Sequence, residues 1–174
     1  MVAIDNGEEV ATAVEPYAHG VIDDTLPGTG ARLGPDWALQ HPQDYLDVLE
    51  KIVPKVLKDA GVDGADVIGI GTDFTACTLI PVDTSGTPLC LKDEFAANPQ
   101  AWVKLWKHHA AQPQADRITA KAEERNESFL PTYGGKISSE WLFSKALEVL
   151  EEAPEVYAAA DKFIEAGDWL VLTL

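Results

Sequence analysis

Cysteine is scarce. The chain has two, Cys77 and Cys90, among 174 residues, and neither stands in a C-x-x-C pair or in a Cys/His metal-ligand spacing. A disulfide framework and a zinc module are therefore unsupported, and two buried thiols in a reducing cytosol are expected. Basic residues are also few: 13 Lys and Arg against 29 Asp and Glu give a net charge of −16. Such a surface repels nucleic acid and anionic membranes, though a local basic pocket for a phosphate is still allowed. No apolar run approaches the length of a membrane span, and no charged segment followed by an apolar core opens the chain. No internal repeat or low-complexity tract is visible. What remains is 46% hydrophobic and 24% charged residues, a globular composition able to bury a core.

Both ends fall in apolar stretches, Met1-Val-Ala-Ile4 and Trp169-Leu-Val-Leu-Thr-Leu174, and truncation at both ends is the expectation. Met1–Ile4, the Asn6-Gly7 turn pair and Glu9–Tyr17 predict a β-hairpin, because Asn-Gly supplies the positive φ angles of a tight primed turn. Residues 18–36 read as a long loop. Helical spacing of apolar residues predicts a helix over Asp44–Ala60, behind Pro42 and stopped by Gly61, with Pro54 as a candidate kink. Val67–Gly71 reads as a buried strand and Thr78–Val82 as a second. Asp83–Gly86 reads as a turn and Thr87–Leu91 as a third, weaker strand. Helices are predicted over Pro99–Ala111, Asp116–Arg125, Ser138–Leu150 with Ser138 or Ser139 as cap, Pro154–Ala160, and from Asp168 onward. Phe129–Gly135 reads as a loop. Helix followed by strand through short connections suggests α/β architecture, β-rich before about residue 95 and α-rich after it.

Three segments carry chemistry. Gly69–Thr78 brings small and polar residues to the C-terminal end of a strand, where open α/β sheets place ligands; a strand followed by a polar turn has the same pattern. In Ala101–Ala110, Trp102 and Trp106 are four apart and would share one helical face. Indole faces suit the C–H-rich faces of sugars, and they equally suit a core. His108 and His109 are adjacent, so they point in different directions on a helix; they read as surface or supporting residues, not as a metal pair. Tyr133–Trp141 holds Gly134-Gly135-Lys136, whose glycines permit close backbone approach. It lacks the G-x-x-x-x-G-K-[ST] layout of a P-loop.

Five blocks occur in order: Ala38-Leu-Gln-His-Pro42, Asp73-Phe-Thr-Ala-Cys77, Trp102-Val-Lys-Leu-Trp-Lys-His-His-Ala-Ala111, Gly134-Gly-Lys-Ile-Ser-Ser-Glu-Trp141 and Glu165-Ala-Gly-Asp-Trp169. Together they resemble the ribulokinases of the FGGY carbohydrate kinase family, over essentially the whole chain, and the Trp102–Ala111 run is highly specific. The resemblance implies an actin-like, ribonuclease-H-like fold, of which residues 1–174 would be part of the N-terminal domain. It implies transfer of the ATP γ-phosphate to ribulose, with Mg2+, in arabinose catabolism. It also implies a small sugar as partner, with neither nucleic acid nor membrane, in a cytoplasmic enzyme for which a homodimer is allowed at full length.

Carried onto matching positions, Ala76 becomes a sugar contact and Trp106 a wall of the sugar pocket. Asp73, Thr75 and Lys136 become further substrate-binding candidates. The family's Asp-x-Gly-Thr phosphate turn is not expected within residues 1–174, since Gly71-Thr-Asp73, which is superficially similar to it, belongs to a later strand. The catalytic aspartate is expected past Leu174; Asp168 instead matches a helix start, where a carboxylate complements the helix dipole. Residues 1–174 alone are thus expected to hold no catalytic residue and to be inert. Another pentulose or polyol kinase of the family, or a non-catalytic sugar-binding protein, are the alternatives.

Overall fold

The computed structural model describes Met1–Leu174, and the chain folds as two compact units. The first comprises residues 1–20 and 41–72, the second residues 21–40 and 73–174. No helix is long and apolar enough to cross a membrane.

The first unit is built on helix α1, Pro42–Ala60. The His41 ring accepts the Gln43 N–H, Pro42 occupies the first turn, and Gly61 ends the helix at φ 66°, where a side chain would be strained. Pro54 stays inside the helix. It sits on the exposed side, where solvent can take the carbonyl that its ring leaves without a donor. Tyr45 is buried against Tyr17, ring centroids 5.4 Å apart.

The predicted hairpin reduces to one antiparallel bridge, Val2 with Glu9, around the Asn6-Gly7 turn. The predicted buried strand Val67–Gly71 pairs with nothing. It follows a 3-10 turn at Gly64–Asp66 and lies open, Ile68 being 77% and Ile70 72% exposed. A trough of about 1200 Å³ is lined by Val2 and Ile4 of the hairpin, Ile52 and Val56 of α1, and Ile68 and Ile70.

The second unit holds a four-stranded sheet: β1 (Leu39–Gln40), β2 (Leu79–Val82), β3 (Val103–Lys104) and β4 (Lys162–Glu165), in the order β1-β3-β2-β4 and antiparallel throughout. Strand β2 is wholly buried and pairs along its full length with β4, from Leu79 opposite Glu165 to Val82 opposite Lys162. It meets β3 only at Leu79 opposite Lys104. The Thr78 and Val82 carbonyls accept from Ala166 and Asp161, so even-numbered residues of β2 face β4. Pro81 therefore turns its missing N–H toward β3, where the ladder has already ended.

Helices α2 (Gln112–Glu124), α3 (Leu142–Glu152), α4 (Pro154–Ala159) and α5 (Ala166–Thr173) complete the unit. Its core joins Leu26, Leu39, Leu89, Trp102, Val149 and Val156.

Three further sequence expectations are corrected by the structure. Pro99–Ala111 is not a helix: it is a 3-10 turn at Pro99–Ala101, then β3, then turns. Pairing of Val103 with Gln40 and of Lys104 with Leu39 and Leu79 satisfies the backbone better than a helix isolated from those partners could. Thr87–Leu91 forms one bridge, Val82 with Pro88, and a 3-10 turn, since Pro88 cannot donate to a ladder. Helix α3 starts at Leu142 without a side-chain cap; Ser138 instead caps a turn by accepting the Glu140 N–H.

Candidate sugar site

Asp73, Thr75 and Ala76 lie on the exposed segment that enters β2. Two anchors fix that segment. The Thr78 hydroxyl donates to the Thr75 carbonyl at 2.8 Å, and the Thr78 N–H donates to Glu165 Oε2 at 3.0 Å. Burial raises the Glu165 pKa, and the backbone N–H groups of Thr78 and Cys77 oppose that rise. Between the anchors Cys77 adopts φ 68°, a left-handed conformation that a non-glycine residue takes only when its surroundings enforce it.

Trp106 follows β3 and is 41% exposed, whereas Trp102 is 3% exposed and donates its indole N–H to the Ala96 carbonyl at 3.0 Å. The two indoles do not share a face. One belongs to the core, and the other is presented at the surface.

The segments carrying Ala76 and Trp106 are brought together by a residue that sequence reasoning missed. Lys145 of α3 is fully buried; its ammonium donates to the Cys77 carbonyl and to the Leu105 carbonyl, the latter at 2.9 Å. Burial lowers its pKa to about 8, and the Lys104 charge adds to the effect, while Cys77, Glu165 and Glu140 oppose it.

Behind this lies a second buried group. Lys104 stands 3.0 Å from Glu148 and 4.5 Å from the Trp37 ring centroid. His108 Nε2 lies 3.0 Å from Glu148 Oε2, and its Nδ1 accepts the Ala38 N–H at 3.3 Å. Burial opposes ionisation of Glu148, but His108 and Lys104 overcome it and hold the pKa at about 2. Burial also pushes His108 down to about 4. His108 is thus an internal strut under β1 and β3, while His109 is exposed and meets Ser139 at 3.2 Å. The sequence signal for this group was Lys145, Glu148 and Val149 on one face of α3, charges placed where an amphipathic helix keeps apolar residues.

Lys136 is exposed and forms no ion pair. Its neighbour Ile137 is tied to Thr119, and Gly134 and Gly135 take φ 74° and 83°. Lys145 ties together the residues that adjoin Ala76 and Trp106, and Asp73 and Thr75 share the segment of Ala76, while Lys136 lies on a separate turn.

One further cluster unites His19, His41 and Asp44, with ligand-type atoms within 4.8 Å of one another. His19 Nδ1 is bonded to Asp44 at 2.7 Å, and His41 Nδ1 caps α1. The rings stack at 4.5 Å and 15°, and both Nδ1 atoms are already engaged in these hydrogen bonds. The cluster anchors the start of α1.

No protein-family model matches the chain. Individual relatives do. The chain is 58% identical over all its 174 residues to a ribulokinase of Bacillus licheniformis. It is 57% identical over 171 residues, 98% of the chain, to one of Halalkalibacterium halodurans. By sequence the chain belongs to the ribulokinase family. A ribulokinase of Mycolicibacterium smegmatis extends the match, at 54% over 175 aligned positions. The chain spans about a third of the length of these ribulokinases, 32%, 30% and 31% respectively. Among solved structures, a xylulose kinase from Brucella ovis superposes with a TM-score of 0.59 over 82% of this chain and 26% of its own, at 16% identity. At that identity the likeness shows the fold alone, one that this chain shares with part of a sugar kinase.

Proposed function

We propose that the chain is the sugar-recognising part of an ATP-dependent ribulokinase, within its N-terminal domain. The complete protein would transfer the γ-phosphate of ATP to L-ribulose and release ribulose 5-phosphate, in the cytoplasm, as a step of arabinose catabolism. The observation that supports this is the tie that Lys145 makes between the Cys77 and Leu105 carbonyls, whose chain neighbours are the small Ala76 and the exposed Trp106. An indole face packs on the apolar face of a ketose, and small residues leave room for its hydroxyls. Asp73 and Thr75 are neighbours of this surface, and Lys136 is a more distant candidate.

Mg-ATP is not fitted by residues of this chain. The exposed Asp73 carboxylate stands in no acidic cluster, the imidazoles of His19 and His41 serve α1, and the Gly134-Gly135 turn does not open directly into a helix. Phosphoryl transfer needs a metal, a phosphate cradle and a base around the nucleotide. Those parts are assigned to portions of the kinase outside residues 1–174. The apolar trough of the first unit is assigned to a strand from that remaining polypeptide, which would pair with the open Val67–Gly71 segment.

The test is a coupled kinase assay of the complete protein against L-ribulose, D-ribulose, xylulose and glycerol, with isolated residues 1–174 in parallel. Ribulose phosphorylation by the complete protein and none by 1–174 is expected. Preference for xylulose or glycerol would overturn the substrate, and turnover by 1–174 would overturn the division of labour.

A further inference from the structure

Strands β2 and β3 part abruptly. Antiparallel continuation from the Leu79–Lys104 pair would set Thr78 opposite Leu105 and Cys77 opposite Trp106. Neither pair forms. Leu105 gives its N–H to Ala38 on the other side, and Cys77 leaves the strand at φ 68°. The Cys77 carbonyl is left without a strand partner at a partly buried point, where an unpaired carbonyl is unfavourable, and the Leu105 carbonyl, which already accepts the His108 N–H at 2.9 Å, lies within reach of the same ammonium. The Lys145 ammonium enters this fork and donates to both.

Lys145 is 0% exposed, so it cannot touch a sugar. Each carbonyl it holds belongs to the residue next to one of the two best sugar candidates: Cys77 follows Ala76, and Leu105 precedes Trp106. We propose that Lys145 is a positioning residue, which sets the gap between Ala76 and Trp106 by clamping the two strand ends from behind. This rests on the sugar site proposed above. Two features make it more than core filling. Burying an ammonium is unfavourable, and a core-facing position on α3 would be filled more stably by leucine or methionine unless the donors were needed. The fork is also held against Glu165, which grips the Thr78 N–H, so removing Lys145 frees one side of an over-determined turn.

The test uses the complete protein. Lys145→Met removes the donors, Lys145→Gln keeps one amide donor as a variant more certain to fold, and Lys145→Arg keeps the charge. Val149→Ala, one turn along α3 and fully buried, is the control for simple loss of stability. Misplacement of a binding group by about 1 Å can reduce turnover by about a hundredfold. The expected result is a ribulose KM raised about tenfold or more in Lys145→Met, less in Lys145→Gln, and partly restored in Lys145→Arg. The KM for ATP should change less than about twofold in all of them. Val149→Ala should lower the melting temperature while leaving ribulose KM near the parent's. Amide hydrogen exchange should rise in peptides covering 74–79 and 104–108 in Lys145→Met and Lys145→Gln, and not in Val149→Ala. Unchanged ribulose KM and unchanged exchange in a folded Lys145→Gln would overturn the clamp alone. An equal rise of KM in Val149→Ala would reduce Lys145 to a stability residue. A parent protein that phosphorylates no ketose would overturn the sugar site itself, and the exchange data would still report whether the fork loosens.

Discussion

Glu148 is the most consequential side chain in the second unit, and Glu148→Gln isolates its charge. The carboxylate lies 3.0 Å from Lys104 and 3.0 Å from His108, and all three side chains are at most 1% exposed. His108, held down to about 4, is neutral at pH 7, so the substitution leaves Lys104 as a buried cation without a counter-charge. Breaking such a pair by removing one partner costs about 3–5 kcal/mol. For a domain of this size each kcal/mol moves the melting temperature by about 2–4 °C, so a fall of about 6–20 °C is expected. Desolvation already lowers the Lys104 pKa. With Glu148 neutral, Lys104 can escape the penalty by losing its proton, so the deficit should shrink as pH rises from about 7 to 9. The assay is paired thermal and urea unfolding of parent, Glu148→Gln and Lys104→Met/Glu148→Gln across that range. The double variant should recover at least half of the loss, because no orphan charge remains. A single-variant cost below about 1 kcal/mol, or a double variant no better than the single, would refute the claim that this pair governs the stability of the unit.

Three other outcomes follow. Trp102→Ala should cost about 3–5 kcal/mol in unfolding experiments, whereas Trp106→Ala should leave stability within about 1 kcal/mol and weaken sugar binding in tryptophan-fluorescence titrations. At the start of α1, burial and the neighbouring His19 lower the His41 pKa against Asp44 and Asp47, so the unfolded chain takes up a proton before the folded one does. Stability should therefore fall as pH drops through about 6.5 and below, and His41→Asn, which caps at any pH, should flatten the urea-midpoint profile between pH 7.5 and 5.5. On further acidification Glu148, with its pKa depressed to about 2, keeps its contribution above the ordinary carboxylate range and loses it as pH falls toward 2, and Glu148→Gln should abolish that phase in circular-dichroism titrations.

Local signals were legible where an element is specified by its own residues. Helix α1 has its proline start, its glycine stop and a continuous apolar stripe, and the sequence places it within two residues. The turn at Asp83–Gly86 and strand β2 were equally plain. Elements that exist only through remote partners were not. Trp102 and Trp106 have helical spacing, yet Val103 and Lys104 between them are claimed by Gln40, Leu39 and Leu79. Strand β4 escaped notice altogether: Lys162 and Glu165 bound only two apolar residues, and its identity comes from lying beside β2. Val67–Gly71 has the composition of a buried strand but no partner within the chain to pair with. In the candidate site, Ala76 and Trp106 come from the family resemblance, whereas Lys145, which ties the residues beside them, was signalled only by charges on the inward face of α3 and not by anything that points to its remote carbonyl partners.

The strand order β1-β3-β2-β4 also governs how the chain can fold as it is made. Each strand is delivered by a distant segment, and Thr78 finds its Glu165 partner 87 residues later. Strand β2, the most apolar of the four, must wait unpaired on its β4 side until almost the entire second unit has left the ribosome. Such late, non-local closure is slow and leaves a hydrophobic strand open to intermolecular pairing in the interval. Synthesis interrupted shortly before Lys162 should therefore yield insoluble nascent chains, and a translational pause would be better tolerated after Glu165 than before it.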